Sequence, residues 1–236
     1  MRRFLPRPVP TLVLMLLLPL LVALGLWQLQ RAEQKASLLA HQARQQSLLP
    51  GNLKALAEQD DPAWRAVLLQ GRFDPQHTLL LDNRSRDGRA GVELLQPFED
   101  RSSGLWVLLN RGWLPWPDRR TPPVFDTPTA DADLQAWVYV PPGPAFRLQA
   151  DAPDERWPRL VNVVEPPRVW QALQRDGYPY ELRLLPGPAA YRADWPIVNQ
   201  APQTHRAYAV QWFALAVALI GLYLYLGFSR SREPRP

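Results

Sequence analysis

The chain has 236 residues, 47% of them hydrophobic, with a formal net charge of +5, no cysteine and two methionines, Met1 and Met15. Without thiolates or a thioether cluster it lacks ligands for soft-metal chemistry such as Cu(I) delivery. Arg2, Arg3 and Arg7 near one end, and Arg230, Arg232 and Arg235 against Glu233 near the other, account for the whole surplus of charge, leaving 21 basic and 21 acidic residues in 31–206. A neutral middle segment has no electrostatic footing for nucleic acid, and that class of partner is excluded.

Residues Thr11–Leu29 and Ala207–Phe228 contain no Asp, Glu, Lys or Arg. At about 1.5 Å per residue each is long enough to cross a hydrocarbon core of roughly 30 Å. The expected order is a cytoplasmic tail (1–10), a first transmembrane helix (11–29), a helical stalk (30–60), a β-rich domain (61–206), a second transmembrane helix (207–228) and a cytoplasmic tail (229–236). The first apolar run is longer than a signal-peptide core and has no A-x-A-like site before Arg31, so it reads as an uncleaved anchor. Basic flanks stay cytoplasmic, which puts the middle domain on the far side. In a bacterium this is a two-pass inner-membrane protein with a periplasmic domain.

In chain order, Pro6, Pro8 and Pro10 punctuate the first tail, and Pro19 predicts a kink within the first span. Trp27 sits at interface level as the span ends, with Arg31 able to snorkel outward. Residues 31–46 keep a helix-forming pattern that Pro50-Gly51 stops, and Asn52 is placed to cap a short helix through Glu58. Beyond Asp61 the pattern changes to short strands: Ala63–Phe73, Thr78–Asn83, Gly91–Phe98, Leu105–Leu114 and Asp133–Val140, separated by turn residues. The proline-rich stretch Trp116–Pro128 is expected to pack over the sheet. Val161–Val164 (strand), Pro166–Asp176 (helix, with Val169, Trp170 and Leu173 inward and Gly177 as cap) and Tyr180–Leu185 (strand) form a β-α-β passage able to close or cover it. Residues 186–203 are expected to be loop or edge strand. With 27 prolines keeping strands short, the fold class is α+β: two terminal transmembrane helices bracketing a mainly antiparallel small barrel or twisted sheet with one or two helices.

Catalytic patterns are absent: there is no G-x-S-x-G elbow, H-E-x-x-H, P-loop or dinucleotide glycine fingerprint. The three histidines are scattered at His41, His77 and His205, which is no zinc pattern. His205 stands apart by position, one or two residues outside the second apolar run. An interfacial imidazole there either meets water or ligates a metal. On a helix, His205, Tyr208 and Trp212 share a face, with Gln211 at its flank. Because the first span exits on the same side, Trp27, Gln28 and Arg31 lie at the same depth as His205 and Arg206. The set offers an imidazole, ring faces, amides and guanidinium groups, suited to a flat amphiphile carrying carboxylates, with the imidazole available to iron. The alternative is an aromatic belt with snorkelling arginines. The run Asn110-Arg111-Gly112-Trp113-Leu114-Pro115 reads as a strand end or bulge, although its Arg111 can instead face a partner or a propionate.

Taken together, the sequence resembles the surfeit locus protein 1 family of cytochrome c oxidase assembly factors. The resemblance spans the chain: Gly25-Leu26-Trp27-Gln28 with Arg31, Gly71-Arg72-Phe73, Asn83-Arg84, Asn110-Arg111-Gly112-Trp113-Leu114-Pro115, and His205 with Tyr208-Ala209 and Trp212. It implies a non-enzymatic factor that helps form the haem a site of oxidase subunit one, with haem a as a transient cofactor and His205 as candidate axial ligand. The partners it implies are subunit one, membrane lipid and the haem a synthase. The competing reading is a scaffold that stabilises subunit one or recruits the synthase without holding haem. Gln203-Thr204 stands where family members often have two asparagines.

Overall fold

The computed structural model describes Phe4, residues 6–141, Gly143 and residues 156–229. Of the charged tail residues, Arg7 alone falls among them. The chain divides into two compact units: one drawn from both ends, up to His41 and from Pro196 onward, and one comprising Gln42–Trp195.

The first unit is built on two long helices. Helix α1 (Pro8–Gln46) and helix α4 (Pro202–Ser229) are each long and apolar enough to cross a membrane. Helix α1 starts earlier than the sequence suggests, because Pro8 and Pro10 fall in its first turn, where a missing N–H breaks no bond. Pro19 lies inside a helix that continues beyond it, and residues 31–46 extend it as expected.

In the second unit, Asn52 caps helix α2 (Leu53–Ala57), its side-chain oxygen accepting from the N–H groups of Lys54 at 2.8 Å and Ala55 at 3.3 Å. Strands follow: β1 (Ala66–Phe73), β2 (Leu79–Arg86), β3 (Arg89–Asp100), β4 (Leu105–Pro115), β5 (Ala132–Tyr139), β6 (Arg159–Val161), then helix α3 (Pro166–Leu173) and β7 (Gly177–Leu184). Strand β1 begins three residues later than expected because Trp64 adopts a left-handed φ of 66° and stacks on Trp137 at 4.9 Å. Strand β2 runs past Asn83 because that residue, at φ 56°, forms part of a bulge opposite Val92 and lets pairing resume at Arg84. Helix α3 stops at Leu173, short of Asp176, with Gln174 as the left-handed cap in place of Gly177. Gly177 instead opens β7, where a Cβ would run into the Trp170 ring.

Strand β3 decides the architecture. It pairs along its length with β4, while its other edge takes β2 at Arg89–Leu95 and β1 at Phe98–Asp100. That fork closes a five-stranded barrel in the order β1, β5, β7, β4, β3 and leaves β2 and β6 as an extension of the sheet. The pairings are mainly antiparallel, but β4 with β7 and β2 with β6 are parallel. The β-α-β passage therefore inserts β7 into the barrel and lays α3 outside it.

Period-two alternation sorts the core. Val67 and Leu69, Val107 and Leu109, Ala136 and Val138, and Leu182 and Leu184 form one buried cluster with Leu53 and Leu56 of α2. Leu108, of opposite parity, packs with Leu79, Leu81 and Leu95 under Trp170, with Val169 and Leu173 partly buried against them. Trp116 and Phe125 of the proline-rich stretch cover Leu80, Val92, Leu94 and Leu114, as the sequence suggests.

At the barrel seam Gly71 faces Asp100 of β3, and a Cβ there would press into the Glu99 carbonyl oxygen. Gly71→Ala should lower the melting temperature by about 5 °C or more. Gly88→Ala, at φ 73° with open space around it, should cost about 1 kcal/mol. Asp100 is fully buried and accepts from the N–H groups of Gln70 and Ser103 and the hydroxyls of Ser102 and Ser103. Burial pushes its pKa up, but these donors outweigh it and hold the carboxyl below 3.8. The folded state thus binds this proton more weakly than the unfolded chain. Its stabilisation is complete above the unfolded value and lost as pH falls through the folded one. Melting curves between acid and neutral pH should show a shallower acid-side loss for Asp100→Asn, from a lower neutral-pH starting point.

Candidate functional site

In the helix unit, contacts run antiparallel. Phe4 meets Phe228 and Tyr223, Thr11 Oγ1 lies 3.0 Å from the Tyr223 hydroxyl, Gly25 faces Phe213, and Gln28 reaches His205. Less exposed positions recur every three or four residues, through Gly25, Gln28 and Ala32 on α1 and through His205, Ala209, Trp212 and Ala216 on α4. That spacing is the left-handed, near-antiparallel packing of helix pairs. Gly25 is required there because a Cβ would come 2.6 Å from the Phe213 ring.

At one end of this seam, His205 Nδ1 and Gln28 Oε1 are 2.8 Å apart, joining residues 177 positions apart in sequence. Trp212 lies two turns along the same seam, half-buried. The other predicted site residues lie off it. Tyr208 is 44% exposed because Ala209 takes the seam position beside it, and Trp27 is 48% exposed. Arg31 is exposed, with its guanidinium 5.8 Å from the Trp27 ring and 3.1 Å from Gln34 Oε1. Arg206 is exposed as well. The predicted set thus resolves into a half-buried pair, His205 and Gln28, with Trp212 two turns farther along the seam and the guanidinium groups and remaining rings on outer faces.

The Asn110–Trp113 motif is interior. Arg111 is 1% exposed. Its Nε donates to the Ala189 carbonyl at 2.7 Å and its Nη1 to Gln96 Oε1 at 2.7 Å and the Asp126 carbonyl at 2.6 Å, between the rings of Phe73 and Tyr191. Burial lowers its pKa, partly offset by Tyr191 and Asp126. Gly112 sits in a bulge at φ 114°, where a Cβ would approach the Arg192 carbonyl oxygen at 2.8 Å. Trp113 Nε1 donates to the Arg84 carbonyl at 2.9 Å.

Asn110 anchors a network that sequence reasoning missed. Its Nδ2 donates to Glu93 Oε2 at 2.8 Å and Glu181 Oε1 at 2.9 Å, and its Oδ1 accepts from the Gly112 N–H at 3.1 Å. Arg183 Nε donates to Glu181 at 2.8 Å, and Arg86 Nη2 to Glu93 at 3.4 Å. The available signal was one acidic residue inside each of two apolar strand runs, Gly91-Val92-Glu93-Leu94-Leu95 and Tyr180-Glu181-Leu182.

The sequence profile of the SURF1 family matches residues 15–217. The chain belongs to the SURF1 family. It is also 25% identical over 233 residues to a SURF1-like protein of Rickettsia felis (strain ATCC VR-1525 / URRWXCal2), the match covering 90% of this chain and 94% of the relative. SURF1-family proteins are generally factors for cytochrome oxidase assembly. The matched region of this SURF1-family chain contains both members of the His205–Gln28 pair and the whole Asn110 network.

Asn110→Asp would set a third carboxylate between two buried ones. It should destabilise the protein by about 3 kcal/mol at neutral pH. Thermal melts should show part of that loss recovered on mild acidification, as the new carboxyl takes up a proton.

Proposed function

We propose that this chain is a membrane-anchored assembly factor that assists formation of the haem a site in cytochrome c oxidase subunit one, holding haem a transiently at the outer membrane interface with His205 as iron ligand. On this reading α1 and α4 cross the bacterial inner membrane with both termini cytoplasmic and the barrel periplasmic. The apolar length of the two helices and the concentration of positive charge in the tails support it.

The observation that carries the proposal is the 2.8 Å contact of His205 Nδ1 with Gln28 Oε1. An amide oxygen can only accept, so it selects the Nδ1–H tautomer and leaves the lone pair on Nε2. Ligating histidines are commonly held in this way, with the second ring nitrogen donating to a fixed oxygen. The remaining residues suit the rest of the group. Trp212 supplies an apolar ring face farther along the same seam, and Arg31 and Arg206, without acidic partners among the described residues, can meet propionate carboxylates. Haem a, when bound, brings the redox-active iron that the oxidase requires. The chain's own part is to bind, to orient the imidazole and to keep its proton on Nδ1. Subunit one is the recipient in this scheme and the haem a synthase the supplier.

The test is the pyridine haemochrome spectrum of protein purified from cells that make haem a. Wild type should carry haem a, His205→Ala should lose most of it, and Gln28→Leu should bind it at least about tenfold more weakly. Equal haem content in wild type and His205→Ala would overturn the ligand assignment. Wild type free of haem a but co-purifying with subunit one would favour a scaffold that holds no cofactor.

A further inference from the structure

The barrel unit contains a cavity of about 600 Å³ bounded by the ends of β5 and β7, the bulged half of β2 and the passage into α3. This lies within the roughly 300–1,000 Å³ typical of small-molecule sites. Its charged lining is unevenly satisfied. On its border Arg168 is paired with Glu165 at 2.7 Å and is largely exposed. Arg183 is different: its side chain is only 11% exposed, its Nε is engaged by Glu181, and its guanidinium lies 3.5 Å from the Tyr139 ring. Its two Nη nitrogens make no hydrogen bond among the described residues, and neither is among the buried atoms sealed without a partner. Arg84 Nε stands 4.0 Å from Glu93, and its guanidinium makes no hydrogen bond among the described residues.

The two guanidinium groups are connected. Asn110 bridges Glu93 and Glu181 through one nitrogen, so the carboxylates facing Arg84 and Arg183 lie side by side. Three arginines, Arg84, Arg86 and Arg183, surround these two carboxylates, and Arg86 also faces Asp194. Glu181 and Glu93 more than offset the burial that opposes the Arg183 charge, and that side chain stays a cation. Guanidinium donors without partners beside apolar walls favour an anion with matching geometry. The acidic residues already within this cluster, Glu93 and Glu181, favour a singly charged carboxylate over a more highly charged phosphate. Leu81, Val163, Val164 and Tyr180 add apolar lining suited to a hydrocarbon or ring-sized body.

We propose that this cavity binds a small organic monocarboxylate with an apolar body, its carboxylate held by the guanidinium forks of Arg84 and Arg183 and its body against Tyr139, Tyr180 and the paired valines. The site is separate from the His205–Gln28 pair and does not rest on the haem reading.

The probe is 4-phenylbutyrate, compared with 4-phenylbutanamide, on the full chain in lipid nanodiscs with empty nanodiscs subtracted. Tryptophan fluorescence reports binding, since Trp195 lies 4.7 Å from the Arg183 guanidinium. The acid should give a saturable response, with the amide binding at least about tenfold more weakly. Arg84→Gln, at a side chain 44% exposed, should weaken the acid about tenfold while leaving the melting temperature unchanged. The same response should persist in His205→Ala. Equal binding of acid and amide, or no saturable response to the acid in wild type, would overturn the proposal.

Discussion

Gln28 and His205 share one hydrogen bond across the helix pair, and the arrangement of that unit depends on it. An imidazole with no polar partner in an apolar helix seam would cost a few kcal/mol. The amide oxygen of Gln28 removes that cost only if the helices run antiparallel in one register. Gly25 opposite Phe213 and Thr11 opposite Tyr223 set the same register by close packing and by a second polar contact. The bond and these contacts agree on one register, and the bond orients the His205 ring within the seam.

The barrel is held by a different constraint. Twelve residues of β3 serve three neighbours, and the hand-over from β2 to β1 closes the cylinder. A strand buried on both faces over most of its length has no room for charge, yet Glu93 sits in it. Asn110, Arg86 and Glu181 exist in this structure as its solvation. A half-satisfied network of this kind is worse than an apolar core, so the groups must be kept or lost together. The bulge at Gly112 matters for the same reason: it turns Arg111 inward to carbonyl oxygens and lets Asn110 reach both carboxylates.

Much of the architecture was legible because it follows from periodicity and punctuation. The two uncharged runs, the Asn52 cap, the turn residues and the inward Trp170 are local signals, and each appears where the sequence puts it. Element limits shifted where single residues took left-handed conformations, at Trp64 and Asn83 for strands and at Gln174 for helix α3. Neither Trp64 nor Gln174 is a residue that favours this conformation, so nothing in the local sequence marked them, whereas Asn83 is of a type that does. The parallel β4–β7 and β2–β6 pairings were invisible for a related reason, since partner choice depends on contacts distant in sequence. At the candidate site, helical geometry grouped His205 with Tyr208 and Trp212. Only the packed pair of helices shows that Ala209 displaces Tyr208 from the seam and that Gln28 is the partner.

The central claim is that His205 presents Nε2 because Gln28 holds Nδ1. Protein labelled with ¹⁵N at histidine, assigned by comparison with His205→Ala, tests this most directly. Without haem, His205 should show a protonated Nδ1 and an unprotonated Nε2, and after haem a is added the hyperfine coupling to iron should appear on Nε2. An Nε2–H tautomer in wild type, or iron coupling absent from His205 in the haem-bound protein, would contradict it.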